Sequence, residues 1–526
     1  MLFSLLESED DIVMNSIYKR LSAAVMVAAL GVCMVSCNFA KESYDFLVNY
    51  DDVTTGDVSS KGVSVHDPSI IASGDTYYLF GSHMTAAKSE DLLNWSMVAD
   101  GYSKTNPVYG QIYDVSDDAF AWAGSAKSEV TTDDKKTHVW APSVIYNKAM
   151  DKYVMYYCTS STWNASNLCY GISDTIDGKY EWQGSLICSG FNNQNIDKTD
   201  VLDYVDMEYA KKHYVKGGQY NFEDYPNAID PTVFYDADGR MWMVYGSWSG
   251  GIFIIEIDEA TGQVIHPAMD EAEGVDAYFG KKLLGGGHVS IEGPWIEYDY
   301  TAGYYYLYVS YGGLVSNGGY QIRCYRSTAP DGDYVDMNGE KPGKSAFHEN
   351  FGLKLSGNYK LPSLSKAYMA PGHNSSFKDA DGRTYIAYHT RFNDKGEGHS
   401  PRVHQVIYNQ EGWPCMLPYQ TVGEKVSKTG YEADDYVGRY YYIDLETDIS
   451  ADIKNPKIMY LTKKGDVVTE NGTGSYSVAD GQCYIHLSLG EEEYSGVLCA
   501  MEDEAGTPVM TFSVVGNNTS LWGVKY

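Results

Sequence analysis

An all-β architecture is the fold class this sequence predicts, and three observations carry it. Tyr occurs 48 times beside 10 Trp and 52 Gly, a balance that suits short aromatic strands joined by tight turns. A strand, a Gly or Asp turn and a second strand recur five times along the chain. Residues 431–526 alternate apolar and polar positions, with turn residues between the runs. At 526 residues and 44% hydrophobic content, the chain is long enough for two or three domains and can build a full core.

Composition also narrows function. A formal net charge of -32 argues against a nucleic-acid partner, because phosphate contacts need clustered Lys and Arg. An acidic chain also avoids acidic polymers, so a neutral substrate is expected. With no GxxxxGK[ST] and no strand-placed GxGxxG, nucleotide binding has no support. Beyond Cys33 and Cys37 the cysteines are Cys158, Cys169, Cys188, Cys324, Cys415, Cys483 and Cys499. An odd set without CxxC makes neither a complete disulfide framework nor a strong zinc site, and most are expected to be buried small hydrophobes.

Taken in order, residues 1–37 read as an export signal. After an acidic start, Met14 opens "MNSIYKRLSAAVMVAALGVCMVSC": a basic pair at Lys19 and Arg20, an apolar run too short to span a bilayer, then small residues. The ending "MVSC" resembles a bacterial lipoprotein signal, which implies acylation of Cys37 and a membrane connection only through that lipid anchor, at the outer membrane. An ordinary cleaved signal with an incidental cysteine is the alternative. Residues 38–59 read as a short acidic tether.

The repeats follow in residues 60–428: "HDPSIIASGDTYYLFGS" from His66, "WAPSVIYNKAMDKYVMYY" from Trp140, "IDPTVFYDADGRMWMVYGSW" from Ile229, "IEGPWIEYDYTAGYYYLYVSY" from Ile291 and "GHNSSFKDADGRTYIAYHT" from Gly372. Hairpins at intervals of about 60 to 90 residues predict a five-bladed β-propeller with about four strands per blade. The "DADG" tracts lack the ligand series of a calcium loop and read as hairpin turns. Long connections at about 101–138 and 185–225 lie between blades, where they could wall off one end of a cleft. Residues 429–526 match no blade and predict a separate small β-barrel or sandwich.

Aligning the repeats on their first strand puts Asp67, Ala141, Asp230, Glu292 and His373 at one position, each four residues before Ile71, Ile145, Phe234, Ile296 or Phe377. If that strand is the innermost of its blade, these residues face one central channel. A single Asp-Pro could merely cap a strand start, but three carboxylates at one register point to chemistry. Crowded and partly dehydrated, some have raised pKa values. Two carboxyl groups across a channel suit glycoside hydrolysis: one protonates the leaving oxygen while the other activates water, and a third can tune the acid.

The set "HDPS", "WAPS", "IDPTVF", "GSWSGGIFIIEI", "IEGPWI", "YLYVSYGG" and "PGHNSSF", in order over residues 60–425, resembles glycoside hydrolase family 43, most of all its two-domain endo-α-1,5-L-arabinanases. The resemblance implies Asp67 as general base, Asp230 as pKa modulator and Glu292 as general acid, with inversion. It further implies a largely water-coordinated calcium ion near His373, and a sugar stacked on Trp140, whose other possible role is packing between blades. His66, Ser247 and Trp248 are expected to line the cleft, and the tail resembles the C-terminal domain of these enzymes.

Three readings result. The first is an exported, monomeric, inverting enzyme that cuts the neutral arabinan backbone internally. The second keeps the chemistry but removes terminal arabinofuranose or xylose. The third is a glycan-binding lipoprotein without catalysis, against which the costly cluster of like charges counts.

Overall fold

The computed structural model describes residues 43–526 apart from 59–61, 116–117, 126, 130–136, 163, 345–347 and 395. The signal segment and Cys37 therefore lie outside the described residues. Among the described residues no helix is long and apolar enough to cross a membrane.

Five separate antiparallel sheets form the five blades. Their innermost strands are Ser69–Ser73, Val139–Asn147, Thr232–Tyr235, Ile291–Asp299 and Tyr368–Lys378. Each packs against the inner strand of the next blade, and the fifth packs against the first, so the ring is closed. Four blades have four strands, while the third gains two short extra ones. Strands such as Tyr304–Tyr311, "YYYLYVSY", are almost wholly buried, as expected of a strand sandwiched between neighbouring blades. The "DADG" tracts are hairpin turns: Asp236 Oδ1 accepts the Asp238 and Arg240 N–H groups at 2.9 and 2.8 Å, and Gly239 takes a φ of +83°.

Among the described residues no strand from the N-terminal side completes the fifth blade, whose four strands all come from residues 368–416. Closure rests instead on an apolar seam of Val63, Val65, Ile70 and Leu79 against Phe377, Tyr385, Ala387 and Val403. Hydrogen bonds flank it: Val65 N to His399 O at 3.1 Å, Ile70 N to Ser375 Oγ at 3.1 Å and Ser375 Oγ to Pro68 O at 2.7 Å.

The connection after the second blade is built rather than loose. It carries a short helix, Met207–His213, capped by Asp206, whose Oδ1 accepts Tyr209 N at 2.7 Å. Its apolar residues Phe191, Ile196, Val201, Tyr214 and Tyr220 share a core with Ile187 of the second blade and Met243 of the third.

The tail forms a closed eight-stranded barrel from Gly438–Asp444 to Thr519–Lys525, the last strand pairing with the first. It sits on the outermost strands of the fourth and fifth blades: Ser520 Oγ donates to Lys354 O and Ser513 Oγ to Met416 O, at 2.7 and 2.8 Å. Trp522 and Val524 join a core shared with Leu353, Leu355, Cys415 and Met416. Arg323, fully buried in the fourth blade, donates to Phe351 O and Gly352 O at 3.2 and 3.1 Å and to Thr447 O of the barrel segment. The expected tether differs in its described part. Gly56 pairs with the chain at Ser363 and Ser365 (2.7 and 3.1 Å), and Val58 is buried in the same shared core, because Val58 has apolar surface to cover. The seven described cysteines are buried and unpaired.

Two outcomes follow from this packing. Arg323→Met strands several buried carbonyls and should cost about 3 kcal/mol or more in urea unfolding; unchanged stability would show that this guanidinium does not tie barrel to propeller. His404 is fully buried, with Nδ1 2.8 Å from Leu417 O and Nε2 3.0 Å from Tyr388 Oη, and burial pushes its pKa down to about 3. The unfolded chain takes up that proton first, so the stability His404 contributes is whole above about pH 6.5 and is lost as pH falls towards 3. His404→Gln should remove about 1.4 kcal/mol per pH unit of acid sensitivity below about pH 6, and equal slopes in both proteins would refute this.

Candidate active site

Each inner strand has one residue with left-handed backbone, just before it in Asp67 (φ +54°) and Asp230 (+56°) and within it in Ala141 (+42°), Gly293 (+56°) and His373 (+47°). Proline follows in the first four and Asn374 in the fifth. Where the strand is long enough to pair beyond this point the register slips, between Trp140 and Ser143, Glu292 and Trp295, and Gly372 and Ser375. Such a bulge turns one residue out of the ladder and frees its N–H. A side chain of the preceding blade accepts each of four freed donors: His389 Nδ1 from Asp67 N (3.2 Å), Ser82 Oγ from Ala141 N (2.9 Å), Asp230 Oδ2 from Gly293 N (3.1 Å) and Ser310 Oγ from His373 N (2.7 Å). Left-handed conformation costs a non-glycine residue about 1–2 kcal/mol, and its recurrence here marks a functional site.

This geometry corrects the sequence register. Gly293, not Glu292, occupies the left-handed position of the fourth blade, so Glu292 corresponds to His66, Trp140, Ile229 and Gly372. Alignment on the downstream apolar residue concealed the offset. Glu292 nevertheless reaches the same cavity, of about 340 Å³, which His66, Asp67, Trp140, Asp230 and His373 also line. The 185–225 connection contributes no lining residue among the described ones; its side chains are committed to the core between blades two and three.

Asp67 and Asp230 are buried and Glu292 partly so, and the three carboxylates are held differently. Asp67 Oδ1 lies 3.1 Å from His66 Nε2 and 3.0 Å from His373 Nδ1, while Oδ2 accepts from Ser82 Oγ at 2.5 Å. Burial pushes its pKa up, but the two rings and the hydroxyl outweigh that and hold it at about 2. Glu292 accepts Tyr320 Oη on Oε1 at 2.7 Å, and Ser247 Oγ and Trp248 Nε1 on Oε2 at 3.0 and 2.8 Å. Burial raises its pKa against these donors and against His373, with the Asp67 charge adding to the rise. Asp230 is likewise raised, by burial and by the charges of Glu292 and Asp67. One carboxylate thus stays ionised while two compete for a proton.

Ser247 and Trp248 therefore act on Glu292 directly, rather than only lining a cleft. Trp140 is half-buried, 4.6 Å from His83 and 6.0 Å from His66 between ring centroids, and still lines the cavity. Tyr320 and Ser82 escaped the sequence reading: "GGYQI" and "FGSHM" carry no local signature, and only ring closure brings them in. The glycine of "PGHNS" has a reason of its own, since a Cβ on Gly372 would lie 2.3 Å from the Tyr320 ring.

Two places invite a cation. His373 Nδ1 lies 3.0 Å from Asp67 Oδ1, and the charges of Asp67, Asp230 and Glu292 raise the pKa of the ring against its burial; once its Nε2 proton is displaced, the ring and the three carboxylates fit a divalent ion. His66, His389 and His399 also bring ring nitrogens within 4.8 Å of one another. Here the tautomers do not fit. His389 Nδ1 already accepts Asp67 N–H, and His399 Nε2 accepts an Arg391 N–H at 2.7 Å, so their remaining nitrogens carry hydrogens. The cluster is a neutral wall, with His66 pushed down to about 4 and His399 to about 3 by burial.

Comparison with known proteins gives the family. The model of glycosyl hydrolases family 43 matches residues 204–414, that of a probable glycosyl hydrolase domain residues 35–177, and that of a C-terminal lipocalin-like domain residues 418–523. An extracellular endo-α-(1→5)-L-arabinanase 2 of Bacillus subtilis is 37% identical over 483 residues, 88% of this chain and 93% of that one. The extracellular endo-α-(1→5)-L-arabinanase of Thermotoga petrophila is 35% identical over 480 residues, again 88% and 93% of the two chains. A crystal structure of the endo-1,5-α-L-arabinanase from Thermotoga petrophila superposes with a TM-score of 0.77 at 34% identity, over 89% of this chain and 99% of that one. With its propeller, its barrel and its ring of carboxylates, the chain belongs to glycosyl hydrolases family 43.

Proposed function

We propose that the protein is an exported glycosidase that cleaves internal α-1,5-L-arabinofuranosidic bonds of arabinan with inversion. The observation that carries the reading is the division of labour among three carboxylates on one cavity: Asp67 held at about 2, Glu292 and Asp230 raised. Glu292, protonated, gives its proton to the glycosidic oxygen as the C–O bond breaks. Asp67, ionised, takes a proton from the water that attacks the anomeric carbon from the other face. Asp230 tunes the acid because the two carboxyl groups share one proton, each disfavouring ionisation of the other, and its Oδ2 accepts the Gly293 N–H next to Glu292. Trp140 offers a ring for sugar stacking. His373 would hold a calcium ion, which when bound supplies fixed positive charge beside the carboxylates. The similarity to extracellular arabinanases over most of both chains supports the endo reading and export; acylation at Cys37 and a monomeric state complete the proposal.

Purified protein from residue 38 onward, which keeps the packed segment around Gly56 and Val58, should release a ladder of mixed oligosaccharides from linear arabinan at early times, with the anomeric configuration inverted by NMR. Arabinose alone would indicate an exo-enzyme, and no product from arabinan, arabinoxylan or xylan would leave a binding module. Glu292→Gln should lower kcat by about 10²–10⁴-fold and leave oligosaccharide affinity within a few fold. Asp230→Asn removes a negative neighbour, so Glu292 loses its proton at lower pH and the alkaline limb of the kcat profile should move down; an unmoved limb would rule Asp230 out as modulator.

A further inference from the structure

Arg391 of the fifth blade is 2% exposed, yet its Nε pairs at 2.6 Å with Glu397, which is half in solvent at 51%. A buried guanidinium is costly unless well paired, and an exposed partner is a poor choice for stability alone. Glu397 has a second attachment. It accepts Ser316 Oγ at 2.6 Å on Oε1 and Ser316 N at 3.1 Å on Oε2. Ser316 belongs to the loop 312–319 of the neighbouring fourth blade, which joins strands Tyr304–Tyr311 and Gln321–Ser327. That loop is closed on itself by Gly313 N to Gly318 O and Gly318 N to Val315 O, at 2.8 and 2.7 Å. Its tip holds two apolar side chains in the open, Leu314 at 38% and Val315 at 46%, and Leu314 lines the carboxylate cavity. On its other side, Arg391 donates to His399 Nε2 at 2.7 Å; the His399 ring stacks on His66 at 4.0 Å, and His66 Nε2 lies 3.1 Å from Asp67 Oδ1.

We propose that Glu397 and Arg391 form a latch between blades four and five that positions the Leu314 lip against substrate and seats the His399–His66 pair behind Asp67. The inference rests on the arabinan-cleaving reading for its substrate, and on the geometry alone for the latch. Glu397 and Arg391 are positioning residues: neither reaches the reacting atoms. Leu314 supplies an apolar contact for the carbon face of a furanose ring, so the latch governs substrate affinity more than the chemical step. Because Arg391 also faces the base side, its loss should touch both.

Glu397 is exposed, so Glu397→Ala should fold. Hydrogen–deuterium exchange should then run at least about tenfold faster at amides 314–318, as expected when a loop loses its anchoring bonds, and stay unchanged in Leu314→Ala. On linear arabinan, Glu397→Ala should raise KM about tenfold, the equivalent of one apolar contact, with kcat within about twofold. Arg391→Lys, which loses the planar fork, should also lower kcat. Glu397→Ala and Leu314→Ala act on one contact, so the double variant should show a KM no higher than the worse single one. Unchanged exchange in Glu397→Ala, or multiplying KM effects, would overturn the latch. Wild-type protein inert on arabinan, with exchange still accelerated in Glu397→Ala, would refute the substrate and retain the latch.

Discussion

The centre of the molecule depends on one backbone event repeated five times, the left-handed residue in or just before each inner strand. It frees an N–H from the ladder, and a buried donor must find a partner. In four blades that partner is a side chain of the blade before, so the bonds run round the ring in one sense. Two of those acceptors, His389 and Ser82, touch Asp67, and a third is Asp230 itself. Holding the ring together and placing the carboxylates are the same set of contacts, which explains why strain of about 1–2 kcal/mol per residue is tolerated there.

Much of this was legible in the chain. Repetition exposed the blades, and Asp-Pro and Glu-Gly-Pro exposed the carboxylates, because the bulge needs neighbouring residues and leaves a local trace. The offset of Glu292 was legible only from the prolines, since Pro68, Pro142, Pro231 and Pro294 follow the left-handed residue, whereas the downstream apolar residue falls out of step with it in the fourth blade. Ser82, Tyr320, His389 and Arg391 were not legible. They come from second strands and turns, and they reach the site only once five blades close, which no local pattern encodes. The two tryptophan expectations divided for a similar reason: Trp140 lines the cavity, while Trp248 turns its ring nitrogen to Glu292.

The barrel and the open closure of the ring belong together. A propeller whose last blade, among the described residues, borrows no strand from the other terminus relies on side-chain packing at its seam. The barrel covers the outer strands of the fourth and fifth blades, and the N-terminal segment runs across the same region to bury Val58. One shared core thus joins fifth blade, barrel and N-terminal segment, so the blade next to the seam is supported from outside as well.

The cysteines have a consequence for how the fold matures. All seven described thiols are buried, and burial keeps each of them above its ordinary pKa. A thiol that stays protonated inside a core neither attacks a disulfide nor is readily oxidised. In an oxidising compartment, where exported chains usually depend on correct cystine pairing, the propeller and barrel need no oxidant and no isomerase to reach their native covalent state. Reductants have nothing in them to break.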